Sequence, residues 1–130
     1  MSAATEALAA MIASVQRMET LVADSMPELA KAVQTELERT IAAGTTAYNQ
    51  PWKPTQSGEP ALVHAADALR VMPSGKTIYV TLGGVEARHH FGNVKGKVKR
   101  EILPVRGLPS SMAKALQAVL ERNFQKAAQP

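Results

Sequence analysis

Apolar side chains recur at steps of three and four early in the sequence. Leu8, Met11, Ile12, Val15, Met18 and Val22 fall on one face of a helix over residues 3–22, with alanine filling the gaps. A second stripe follows at Leu29, Val33, Leu37 and Ile41. Its start is predicted at Ser25, because Ser25-Met26-Pro27-Glu28 has the form of a capping box: the serine accepts from the backbone at Glu28, whose side chain reaches back. Pro27 is tolerated in a first turn, where the amides have no intrahelical partner. Gly44 suits the residue that closes a helix. Residues 1–44 are therefore expected as a helical hairpin.

The helical spacing stops at residues 45–60, TTAYNQPWKPTQSGEP, where three prolines and a glycine forbid a continuous helix or a central strand. An exposed Trp52 would be costly, so it either folds back onto its own domain or inserts into a neighbour. Residues 45–68 are expected as an extended Pro/Trp-containing loop. Leu69, Val71 and Thr77-Ile78-Tyr79-Val80-Thr81-Leu82 then read as two strands, with Pro73-Ser74-Gly75-Lys76 as the hairpin turn. Gly83-Gly84 ends the second strand. Val85–Phe91 is compatible with a short helix, Gly92–Lys99 is a basic glycine-containing loop, and Ile102-Leu103-Pro104-Val105 is a candidate edge strand. The helical spacing returns over residues 109–126, where Met112, Leu116, Val119, Leu120 and Phe124 form the stripe, Pro109 suits the start and Ser110 or Ser111 the cap.

Helices, then strands with a basic loop over 69–108, then a helix predict one α+β domain over residues 1–130. Its parts are two N-terminal helices, a small mostly antiparallel sheet and a long C-terminal helix packed on it. A chain of 130 residues is long enough to bury a core without a staple. There are no cysteines, which excludes thiol chemistry and cysteine-ligated zinc. No apolar run approaches a membrane span, and the Ala-rich start carries Glu6 before any basic residue, unlike a signal peptide. The chain is expected to be made in the cytoplasm. The formal net charge is +4, and the window from Glu86 to Arg106 carries all of it: Arg88, Lys95, Lys97, Lys99, Arg100 and Arg106 against Glu86 and Glu101.

Candidate chemistry is sparse. His89 and His90, with Glu86 four residues before His90, supply two metal ligands at most on one helical face, and zinc needs three or four. One buried and one exposed histidine is the plainer account. His64, Asp67 and Ser57 lie near one another in sequence, but a triad is defined by geometry. There is no nucleophile elbow, phosphate loop or dinucleotide fingerprint, so neither a catalytic residue nor a cofactor is assigned. The run Lys95-Gly96-Lys97-Val98-Lys99-Arg100 fits contact with phosphate or with an acidic protein surface, and fits a solvated edge that blocks aggregation equally well. Phe91 is the one aromatic nearby, which argues against base stacking.

The order of these features resembles a known family. Two helices lead into PWKPTQSGEPALVHAADALRV, then a strand, then GVEARHHFGNVKGKVKREILP, then a final helix. This is similar to the bacteriophage virion-morphogenesis proteins, called neck, head–tail joining or tail-completion proteins. In them a G-x-x-W-x-P stretch precedes a strand pair, and a Y-A-x-x-H/E-x-F-G core precedes a basic loop. Val85–Gly92 fills that core here, with Val85 in place of the usual aromatic, and Arg100–Pro104 stands near the family's following R-P-F-L or P-A-R element. The resemblance implies a non-enzymatic virion subunit at the head–tail junction, forming a ring, sixfold in many members, between portal or adaptor and tail tube. It leaves open whether the chain is a joining protein or a tail terminator. A closing ring needs two different complementary patches per subunit, and the Pro/Trp segment and the basic loop are the candidates for them. The candidate interface or lumen residues are Trp52, Lys53, Arg88, His89, His90, Phe91, Lys95, Lys97, Lys99 and Arg100, with non-specific contact to packaged DNA through the basic loop. The alternative is a small nucleic-acid-binding protein using residues 88–106. A small enzyme built on His64, Asp67, His89 or His90 ranks third, because no constellation completes a mechanism.

Overall fold

A computed structural model describes residues 2–53, 62, 65–83 and 100–128. The element order is α1 (Ala3–Glu19), α2 (Leu21–Ala43), a short 3-10 helix (Ala65–Ala68), β1 (Leu69–Ser74), β2 (Thr77–Leu82) and α3 (Ser110–Ala128). This is the expected α+β arrangement: two N-terminal helices, an antiparallel two-stranded sheet and a C-terminal helix packed against them.

The expected break between the first two helices falls elsewhere. Ser2, not predicted as a cap, caps α1 by accepting from the Thr5 amide at 3.2 Å. The only residue between α1 and α2 is Thr20, at φ −95 and ψ 1. Its hydroxyl lies 3.2 Å from the Arg17 carbonyl and 2.9 Å from Asp24 Oδ2. One residue is shorter than the two to five that an αα-hairpin turn uses, so Ala3–Glu19 and Leu21–Ala43 run as two nearly continuous helices. Ser25 and Glu28 are interior to α2, and Pro27 lies inside the helix. The residues read as a capping box instead tie α2 to α3. Buried Ser25 Oγ accepts from Asn123 Nδ2 at 2.9 Å, and Glu28 Oε2 accepts from Arg122 Nη2 at 2.7 Å.

Gly44 closes α2 as expected, at φ 72 and ψ 36, with its amide donating to Ile41 O at 3.1 Å and the Thr45 amide to Thr40 O at 3.0 Å. The hairpin turn is shifted by one residue. It is Gly75-Lys76, flanked by the pair Ser74↔Thr77, with Gly75 at φ 60, the conformation glycine allows in a two-residue hairpin loop. Pro73 therefore sits in β1 opposite Ile78, at the non-hydrogen-bonded position next to the turn pair, where its missing N–H faces away from β2. Residues 102–105 form no strand.

α2 and α3 lie antiparallel, since Ser25 meets Asn123 at one end and Arg39 meets Ser111 at the other. Val33, Leu37, Ala47, Leu69 and Met112 form the centre of the core, with Val71, Ile78, Val80 and Leu116 against it. Met26, Leu29 and Val119 extend it toward the start of α2. Ile41, Trp52, Ala65 and Ile102 extend it the other way. α1 contributes no buried residue. Its contact with the body includes the Arg17 guanidinium, whose Nε donates to Ala127 O at 3.2 Å.

Candidate functional site

The chain after Gly44 turns back on itself. The Thr46 amide donates to Gln50 O at 2.8 Å, the Asn49 amide to Thr46 O at 2.9 Å and the Trp52 amide to Gly44 O at 2.9 Å. Asn49 takes a positive φ of 65, tolerated because a short amide side chain accepts the left-handed conformation. This loop carries Tyr48, Trp52 and Lys53 to the segment that leads into α3.

Trp52 is buried among Ile41, Ala65 and Ile102. Its indole Nε1 donates to Glu101 O at 2.7 Å, which gives the buried N–H the acceptor it needs. Arg100 is also buried, and its Nε donates to Lys53 O at 2.9 Å. Next to these, Arg106 Nη1 donates to both carboxylate oxygens of Glu101, at 3.1 and 2.8 Å, and its guanidinium stands 4.8 Å from the Tyr48 ring centroid. The Tyr48 hydroxyl accepts from the Arg106 amide and donates to Gly107 O, both at 2.6 Å. An open depression of about 390 Å³ lies over this knot, lined by Thr46, Gln50, Pro51, Trp52, Lys53, Glu101 and Arg106.

The Pro/Trp segment and the end of the basic stretch, expected as separate contact patches, are thus bound to each other. Of the two outcomes open to Trp52, the chain takes the inward one, so Trp52 is not available as an outward anchor. Arg100 is likewise turned inward, because its guanidinium is more stable with a backbone acceptor in reach than desolvated alone. Lys53 is exposed beside them. Arg88, His89, His90, Phe91, Lys95, Lys97 and Lys99 lie outside the described residues, as do His64, Ser57, the 85–91 segment and the 92–99 loop.

Tyr48 and Glu101 were not singled out as site residues from sequence. The acceptor for the Trp52 indole is the Glu101 main-chain carbonyl, a group every residue carries, so nothing in the sequence marks Glu101 for that contact. Nothing local marks Tyr48, whose partners lie 58 and 59 residues away. Chemically the knot is a set of paired donors and acceptors: the Glu101 carboxylate faces the Arg106 guanidinium, and the Tyr48 hydroxyl bridges the Arg106 amide and Gly107 O. Among the described residues no three His, Cys, Asp or Glu side chains group as metal ligands, and no helix is long and apolar enough to cross a membrane.

Comparison with protein-family models, with curated proteins and with solved structures finds no match to this chain.

Proposed function

We propose that the chain is a structural subunit of a bacteriophage virion, joining head or connector to tail as a neck, tail-completion or terminator protein. It works by assembling into a ring with portal or adaptor and tail-tube proteins as neighbours, not by catalysis. The observation that carries this reading is unpartnered apolar surface on separate faces of the body. Met72 and Tyr79 face each other across the strands on the outer side of the hairpin, and both are more than half exposed. Val105 and Leu108, equally exposed, flank the Tyr48–Arg106 knot. A small chain that leaves two such patches open has surfaces suited to burial on assembly. A head-to-tail contact that closes into a ring needs two different patches of this kind.

The viral setting rests on the sequence resemblance: the Pro/Trp segment, the strand pair and the motif GVEARHHFGNVKGKVKREILP in that order before a final helix. In a ring subunit, Lys95, Lys97 and Lys99 would meet either DNA in the lumen or an acidic neighbour. Electron microscopy of the concentrated protein tests this. Closed annular particles are expected, and Tyr79→Asp or Leu108→Asp should abolish them while leaving the fold intact. A chain that forms no annuli at any concentration, and binds duplex DNA with an affinity that falls steeply with salt and with loss of the three lysines, would replace this reading with the nucleic-acid one.

A further inference from the structure

α1 is amphipathic, and apart from the partly covered Met18 its apolar stripe lies open. Leu8, Met11, Ile12, Val15 and, just past Thr20, Val22 are each between 42% and 65% exposed. With the half-exposed Phe124 they amount to roughly 500 Å² of apolar surface, a size at which patches mark contact sites. The spacing says what kind of partner fits. Ala4, Leu8, Met11, Val15 and Met18 alternate by four and three, the a/d register of a helix that pairs with another helix.

We infer that this face docks against α1 of a second copy of the chain, in an antiparallel two-stranded pair. The register is its own complement. Turned end for end about Ala13, Leu8 meets the partner's Met18 and Met11 meets the partner's Val15. On one flank Ile12 meets its own copy and Thr5 meets Glu19. On the other, Ser14 meets its own copy and Ala7 meets Leu21. No like charges face each other: Glu6 and Arg17 point away from the seam, and Glu19 faces a hydroxyl. The direction follows from the body. α1 is anchored at its C-terminal end, where Arg17 holds Ala127. Helices in contact lie about 8–10 Å apart, so a parallel pair would crowd the two α2–α3 bodies at the same end of the seam.

The antiparallel pair sends the bodies to opposite ends. It also brings the small residues Ala4 and Ala7 to the partner's open apolar groove, about 570 Å³, between Leu21, Val22, Leu120 and Phe124. Face to face, the two stripes bury roughly 1,000 Å² in total, at the lower bound for a specific interface, so the pair is expected to dissociate on dilution. The contact is two-fold and closes at two copies, so it uses neither the hairpin patch nor the Val105–Leu108 patch and does not depend on the ring reading.

Sedimentation equilibrium over a range of concentration tests the pairing. With the ring contacts blocked by Tyr79→Asp, the chain should move from one to two times the single-chain mass of 13.9 kDa as it is concentrated. The double variant Leu8→Glu/Val15→Glu should stay at one chain, with unchanged circular dichroism, because neither side chain is buried in the single copy. The chain has no cysteine, so pairs can be trapped. A mixture of Leu8→Cys and Met18→Cys should oxidise to a mixed disulfide dimer. Leu8→Cys alone should not, since in the antiparallel register the two copies of residue 8 stand about 15 Å apart along the axis. A wild-type chain that is monomeric at millimolar concentration overturns the inference, and so does a dimer that survives the double glutamate variant. Self-linking of Leu8→Cys overturns the register. A monomer that floats with phosphatidylcholine–phosphatidylglycerol vesicles assigns the face to lipid instead. Annuli that persist in the glutamate variant would leave the ring reading standing without this pairing, and a two-chain particle that never forms annuli would do the reverse.

Discussion

α1 and α3 are helices of 17 and 19 residues with apolar stripes of similar strength, and they meet opposite fates. α3 presses Met112, Val119 and Ala127 onto the body, while α1 buries nothing. The same spacing that predicted both helices does not decide which stripe is covered within a single chain. Periodicity reports a local conformation, whereas burial depends on whether a complementary surface lies within reach. α2 offers that surface to α3 along its length; Thr20 carries α1 past the end of it.

The contrast is sharpest in the cost of trimming a leucine. Leu37, fully buried where α2 meets the sheet and α3, should cost about 2–5 kcal/mol as Leu37→Ala, measured by urea unfolding. Leu8→Ala in α1 should fall within about 0.5 kcal/mol of wild type in dilute solution. Equal costs would mean that α1 belongs to the cooperative core. A smaller loss is expected at the knot. Trp52→Phe keeps most of the packing but removes the indole N–H that donates to Glu101 O, and should cost about 1–3 kcal/mol. Ser25→Ala should cost about 1 kcal/mol, because Asn123 Nδ2 loses its 2.9 Å partner; a cost near zero would remove Ser25 from the α2–α3 contact.

The smallest effect is electrostatic. The hydrogen bond from Arg122 holds the Glu28 carboxyl below its ordinary value of 4.5. A depressed carboxylate stabilises the fold above its unfolded-state pKa, and that contribution is lost as the pH falls through the folded-state value. The melting temperature of Glu28→Gln should therefore lie slightly below wild type at neutral pH and converge with it below pH 4.5. A gap that persists in acid would mean that the glutamate acts through packing.

Much of the fold was legible because it is written locally. Three helical stripes, the hairpin and Gly44 as a terminator all depend on residues within a few positions of one another. The α1–α2 joint was misplaced because Ser25 and Glu28 satisfy the capping pattern with each other on paper, while in the folded chain their partners are Asn123 and Arg122, more than ninety residues away. The knot was half legible for the same reason. Folding back was one of two outcomes that physics allowed Trp52, but the choice lay with a carbonyl 49 residues downstream.

The segment from Arg100 to Gly107 is moored to the 44–53 loop by side chains. The Trp52 indole, the Arg100 guanidinium and the Tyr48 phenol each bond a main-chain carbonyl, where a third strand would have used a ladder of backbone pairs. A ladder is held by main-chain groups, so most side-chain substitutions leave it in place and proline is the main exception. These tethers are written in three codons, so selection can loosen or tighten the approach to α3 one substitution at a time without redrawing the fold.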